Sequence, residues 1–183
     1  MNRVDVINNL ISQNKYKFYL EIGCDDNWCF DRIVVDHKVG VDPEKGGTLR
    51  MTSDDFFSQN TEMFDIIFVD GLHHADQVYK DIENSVKILN PGGVILVHDV
   101  NPLDEGMQIV PRIQIAWTGD VWKAWVKLRQ TRSDLNMYVV IPDQELVGLG
   151  VIRPGYQEIL KVTEELTYEN FTKNRTKWLN IKT

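Results

Sequence analysis

Residues 64–69 read FDIIFV, apolar but for one aspartate, and the run ends at Asp70-Gly71. A strand with no alternation of apolar and polar residues has both faces covered, the condition of a central strand in a parallel sheet flanked by helices. A helical period follows at once. Val78, Ile82, Val86 and Leu89 recur through residues 75–89, so this segment packs one face on the sheet. Strand followed by amphipathic helix is the repeating unit of an α/β fold.

The rest of the chain alternates in the same way, with no internal repeat. Residues 4–13 predict a leading amphipathic helix, residues 18–22 a strand ending at Gly23, and residues 26–33 a helix. Residues 39–41 predict a second strand, closed by Asp42-Pro43 because proline brings no amide to the ladder. A third short strand is expected near Leu49. Asn90-Pro91-Gly92-Gly93 predicts a helix stop and turn before a strand over residues 94–97, which runs into His98-Asp99. Asp120 is expected to cap a helix from Val121 to about Gln130. Residues 137–141 and 149–152 are expected to pair antiparallel across a turn at Pro142-Asp143, and residues 168–179 to be helical or partly disordered. At 183 residues one domain is expected, with a leading helix over 1–15, the sheet and its helices over 17–152, and a C-terminal extension over 153–183.

Charge and composition narrow the function. A net charge of −7 disfavours a nucleic-acid partner, which would need a positive footprint. No apolar run approaches the ~20 residues of a membrane span, and the N-terminal residues lack the pattern of a signal peptide, so a cytoplasmic protein is expected. Cys24 and Cys29 have neither the partners nor the histidines of a zinc site and are read as reduced thiols.

Three stretches carry candidate chemistry. In YLEIGCDDNW a strand ends in Gly23, which lets backbone amides approach a ligand at the carboxyl edge of a sheet. The three glycines of a dinucleotide fingerprint are missing, and Asp25 and Asp26 would repel a pyrophosphate. A nucleoside with a positive centre suits this loop better than NAD. Asp42, about 20 positions on, either accepts hydrogen bonds from ribose hydroxyls or simply starts a turn before proline. Residues 52–57, TSDDFF, open a helix, with Ser53 or Asp54 facing an adenine amino group or serving only as a cap.

YLEIGCDDN, VGVDP, TSDDFF, the long run from Phe64 to Pro102 and GDVWK together resemble the class I S-adenosylmethionine-dependent methyltransferases, in particular the small family called methyltransferase domain 24. The resemblance spans about residues 17–152. It implies a Rossmann-like α/β fold with a seven-stranded sheet of order 3-2-1-4-5-7-6, helices on both faces and the last-added strand antiparallel. It further implies that Glu21, Gly23 and Cys24 line the methionine side of the cofactor. Asp42 would hold the ribose, Ser53 and Asp54 would lie near the adenine, and Asp70 at the reaction end. Asn27 departs from the pattern, since many relatives keep a second glycine there.

In that order the strands ending at Asp70 and Asp99 are neighbours, about 4.8 Å apart. The two carboxylates can share a cation, completed by His98 or Asn101, and related enzymes acting on catechols and macrolide sugars use magnesium at this place. Otherwise Asp99 caps a loop and Asp70 touches cofactor or backbone. Three histidines compete as general base: His73 in the turn, His98 at a strand end, and His74, which is read as opening the helix. The family match favours His73. Trp117 and Trp122 flank Gly119-Asp120 and are candidates to stack on an acceptor, whereas Trp125 reads as core. The implied activity is methyl transfer from S-adenosylmethionine to a hydroxyl of a small molecule or sugar, with no nucleic acid or membrane involved. A homo-oligomer is left open. The alternative is a non-catalytic protein of the same fold that binds the cofactor or a partner.

Overall fold

The computed structural model describes residues 1–182. Helix α1 (Arg3–Asn14) begins with a capping box, in which Asn2 accepts from the Asp5 amide and Asp5 accepts from that of Asn2. There follow β1 (Phe18–Ile22), β2 (His37–Val41), α2 (Ser53–Gln59), β3 (Phe64–Val69), α3 (Ala75–Lys87) and β4 (Leu89–His98). The chain closes with α4 (Val121–Thr131), β5 (Leu135–Val140), β6 (Leu149–Pro154) and α5 (Tyr168–Leu179). The strands form one sheet in the order β2-β1-β3-β4-β6-β5. The first four run parallel, and β6 runs antiparallel to both its neighbours. This is a Rossmann-like α/β fold, a mixed sheet with helices on both faces.

Strand β3 shows why FDIIFV carries no alternation. Ile67 and Val69 point into one core, shared with α3, α4 and α5, while Ile66 and Phe68 point into another, shared with Val4, Ile7 and Ile11 of α1. Both faces of the sheet are dry, so both must be apolar. Among the described residues no helix is long and apolar enough to cross a membrane.

Several expectations need correction. The sheet has six strands, not seven: the outer strand expected near Leu49 is reduced to a single bridge between Val41 and Leu49. Gly46 and Gly47, at φ 68° and 64°, turn the chain sharply, and the amides of Thr48 and Leu49 both donate to Gly40 O. The helix expected over residues 26–33 is only a 3-10 turn at Phe30–Arg32, because Asp25 and Asn27 take left-handed φ values of 46° and 65° that no α-helix continues through. Asn90-Pro91-Gly92-Gly93 is not a turn before a strand. It is an irregularity inside β4, where the pairing passes from Phe64–Leu89 to Ile66–Val94. Trp122 is fully buried, its ring centroid 4.6 Å from that of Phe171 and 6.1 Å from that of Trp178, and so belongs to the core rather than to an acceptor wall. The partners that bury it come from α5, which is helical throughout and is held by Arg129 donating to the carbonyls of Lys177 and Trp178.

Candidate active site

A cavity of about 660 Å³ opens along the carboxyl ends of β1, β2, β3 and β4, and the site residues expected from the sequence line it, except His74, Asn101 and Trp122. That volume lies within the ~300–1,000 Å³ typical of small-molecule sites. Gly23 closes β1 at φ 85°, and a Cβ there would overlap the carbonyl oxygen of Asp70. Its amide donates to Val41 O at 2.9 Å, so the ends of β1, β2 and β3 are drawn together around this one residue. Asn27, at the place of a second glycine, accepts the left-handed backbone and receives a 2.7 Å hydrogen bond from the Gly47 amide.

Asp42 organises two loops at once. One carboxylate oxygen accepts from the amides of Cys24 and Asp25, both at 3.0 Å, and the other from those of Glu44 and Lys45 at 2.8 and 2.9 Å. Burial works against ionisation, yet the four amides hold the Asp42 carboxyl below the usual range. Glu21, beneath Gly23, is buried and accepts a hydrogen bond from the Tyr19 hydroxyl. Burial raises its pKa to about 7, against the hydrogen bond from Tyr19. Cys24 and Cys29 are free thiols, both buried, and burial pushes both upward, so neither is a nucleophile.

The ends of β3 and β4 carry a compact charged cluster. His98 Nδ1 lies 3.1 Å from Asp70 Oδ1 and its Nε2 lies 3.1 Å from Glu145 Oε2. His73 places Nε2 3.5 Å from Asp70 Oδ1 and Nδ1 3.3 Å from Asp99 Oδ2. Asp99 holds its place through a left-handed φ of 60°. Burial alone would raise the Asp70 carboxyl, but His98 and His73 beside it hold it far below the ordinary range. Burial would likewise favour neutral imidazoles, yet Asp70 and Asp99 raise His98 well above its usual value and raise His73 too. Both imidazoles have a carboxylate beside each ring nitrogen; His98 is the more deeply buried, with 9% of its side chain exposed against 20% for His73, and is the one raised well above its usual value, which makes it the more firmly held imidazolium of the two. His74 stands apart: it is the N-cap residue of α3 and makes no side-chain cap.

Residues 21–100 match the family model described as a methyltransferase domain. That stretch, 80 of the 183 residues, resembles a methyltransferase domain. Protein y4gI of Sinorhizobium fredii is 32% identical over 88 residues, which is 48% of this chain and 8% of that protein, so the chain spans under a tenth of that relative's length. Among solved structures, the O-methyltransferase TomG of Streptomyces achromogenes, involved in tomaymycin synthesis and bound to S-adenosylmethionine, matches with a TM-score of 0.59 at 17% identity. The match covers 84% of this chain and 79% of TomG. An O-methyltransferase of Bacillus cereus, in complex with S-adenosylhomocysteine, gives 0.56 at 14% identity over 82% of this chain and 79% of that one. At such identities the likeness establishes the fold.

Arg3 and Gln77, which the sequence did not single out, also line the cavity. Arg3, from α1, donates to Glu145 through both its backbone amide and its guanidinium, at 3.0 and 3.2 Å, and its Nε lies 4.0 Å from Asp70 Oδ2. Glu145 thus bridges Arg3 and His98. Nothing local marks either residue, since the pair is 142 positions apart. Trp117, expected near the acceptor, does line the cavity and stacks on His73 with ring centroids 5.3 Å apart. Gln77, on the first turn of α3, also reaches the cavity wall.

Proposed function

We propose that this chain transfers a methyl group from S-adenosylmethionine to a hydroxyl oxygen of a small molecule or sugar. The observation that carries this reading is the convergence in one cavity of Gly23, Asp42, Ser53 and Asp54 at one set of strand ends with Asp70, His73 and Asp99 at the next. S-adenosylmethionine would supply an electrophilic methyl on a sulfonium. The acceptor oxygen forms a bond to that carbon as the carbon–sulfur bond breaks, the electron pair stays on sulfur, and the hydroxyl proton passes to His73. Asp70 and Asp99, one beside each ring nitrogen of His73, orient that imidazole and stabilise the cation it becomes. His98 supplies fixed positive charge behind Asp70 and takes no proton.

The reaction is proposed without magnesium. Asp70, His73 and Asp99 do offer one ligand atom each within 4.8 Å of one another. Magnesium, however, takes near-octahedral oxygen ligands and keeps several waters. Here both carboxylates are already paired with imidazoles, and Arg3 and His98 add positive charge at the same spot. Such a set does not suit a small hard dication.

Calorimetry with S-adenosylmethionine and S-adenosylhomocysteine tests the reading, followed by transfer of labelled methyl to a panel of phenols and sugars in the presence of a chelator. Binding of both and transfer to a hydroxyl are expected. No binding at millimolar ligand would overturn the proposal, and binding with no transfer to any acceptor would favour a non-catalytic role.

A further inference from the structure

The two ends of the cavity mouth differ in chemistry. Toward β1 and β2 the cavity is edged by the exposed carboxylates of Asp25, Asp26, Glu44 and Asp54. From the loops after β3 and β4, the exposed residues that line it are Leu72 and Arg112. Arg112 is the only charged residue of IVPRIQIAW, residues 109–117, and its guanidinium is turned back on its own loop. Its Nε donates to Gln114 O at 2.8 Å, an Nη donates to Ile115 O, and the group lies 5.9 Å from the Trp117 ring centroid. Next to it in the chain, Ile113 and Ile115 stand 63% and 92% exposed. Leu103 is exposed too, and Gln114 ties its segment to this loop by donating to Asp104 Oδ1 at 3.2 Å. A single exposed aliphatic side chain is ordinary, but several gathered beside one opening mark a binding surface.

We propose that the acceptor is amphipathic: a hydroxyl-bearing head that reaches His73, joined to an aliphatic chain that leaves the cavity over Leu72, Leu103, Ile113 and Ile115. The proposal rests on the methyl-transfer reading above and adds the class of acceptor. The surface is continuous with the cavity through Leu72, Arg112 and Trp117, so an alkyl chain lying on it can belong to the molecule whose head fills the cavity. The four side chains together expose well under the ~800 Å² that each partner gives to a standard protein interface. That is too little for a stable second copy and enough for one alkyl chain. Arg112 is engaged by its own loop and the protein carries a net charge of −7, a poor match for an anionic membrane. Each methylene moved from water onto this surface tightens binding by about two- to fourfold, the upper figure for complete burial.

The test titrates hexan-1-ol, octan-1-ol and decan-1-ol by calorimetry into the protein saturated with S-adenosylhomocysteine, for the wild type and for the double variant Ile113→Ser/Ile115→Ser. The wild type is expected to bind each alcohol about 4- to 16-fold tighter than the one two carbons shorter, and the variant to at least halve that factor. Thermal unfolding checks that the variant is folded. A wild-type gain below about twofold per two carbons, which requires no variant, would overturn the proposal, as would a factor that the folded variant does not halve. Sedimentation, and flotation with phosphatidylcholine vesicles, complete the test. A wild-type dimer or wild-type vesicle binding that the double variant loses would overturn the proposal in favour of a second copy or a membrane. S-adenosylhomocysteine binding with a flat alcohol series sinks the proposal alone, whereas no binding of S-adenosylhomocysteine removes the methyl-transfer reading and the proposal with it.

Discussion

Replacing Asp81 by asparagine should change how stability depends on pH, and by an amount that follows from the structure. The side chain is 1% exposed, one oxygen accepts from Gln77, and the other has no partner. Burial raises its pKa to about 6 in the folded protein, from an ordinary value near 3.9 in the unfolded chain. A carboxyl raised on folding holds its proton longer in the native state. Its burial costs nothing below the unfolded pKa, and the cost appears as pH rises through the folded one. Two pKa units correspond to about 3 kcal/mol. Asp81→Asn removes the charge, so its stability relative to the wild type should climb from near zero at about pH 4 to a gain approaching 3 kcal/mol at about pH 7.5. Urea unfolding of both proteins across that range, taken as a difference, cancels all other titrating groups. A difference that stays flat with pH would refute the reasoning.

Four further outcomes follow from the cavity. Glu21, at about 7, should lose its proton when the methionine ammonium of a bound cofactor arrives, so calorimetry near pH 7 in buffers of different ionisation heat should show release of about half a proton, absent in Glu21→Gln. Gly119 sits at φ 57° against the His73 carbonyl, where a Cβ would overlap it. Gly119→Ala should therefore destabilise by about 1–3 kcal/mol and lower turnover together, read by thermal unfolding and single-turnover kinetics. Trp117→Ala removes the ring stacked on His73 and should raise the acceptor KM about tenfold while leaving S-adenosylhomocysteine affinity within about twofold. Arg3→Met strips Glu145 of a partner and should cost about 1–3 kcal/mol in urea unfolding.

The parts of this molecule legible in the sequence are those whose cause is local or periodic. FDIIFV announces a strand buried on both faces because each of its apolar side chains meets a core, and the lone Gly23 announces a close approach because nothing larger fits against Asp70. The same logic explains the misses. The stretch after Gly23 has helical composition, but left-handed Asp25 and Asn27 stop it, and that conformation is imposed by hydrogen bonds to Asp42 and Gly47 from other parts of the chain. Asn90-Pro91-Gly92-Gly93 has turn composition, yet pairing with β3 absorbs it into a strand. Trp122 lies beside the cavity in sequence and in the core in space, because α5 supplies an aromatic partner that residue spacing does not reveal. Arg3 and Glu145 meet only once the sheet has brought the two ends of the fold together.

Asp120 ends the loop that carries Trp117, and it would ordinarily cap the helix it precedes. Instead its carboxylate accepts the Ala75 amide at 2.7 Å, at the start of the helix that follows His73. Gly119 next to it lies against the His73 carbonyl. The loop is thus clasped at its far end to the very turn that holds His73. Any breathing of the cavity mouth must bend the loop ahead of the clasp, above all in residues 108–117, the excursion closed by the Met107 carbonyl holding Thr118 and Gly119, or else break the clasp and move His73 with it. By the second route, opening the mouth and displacing His73 are mechanically tied.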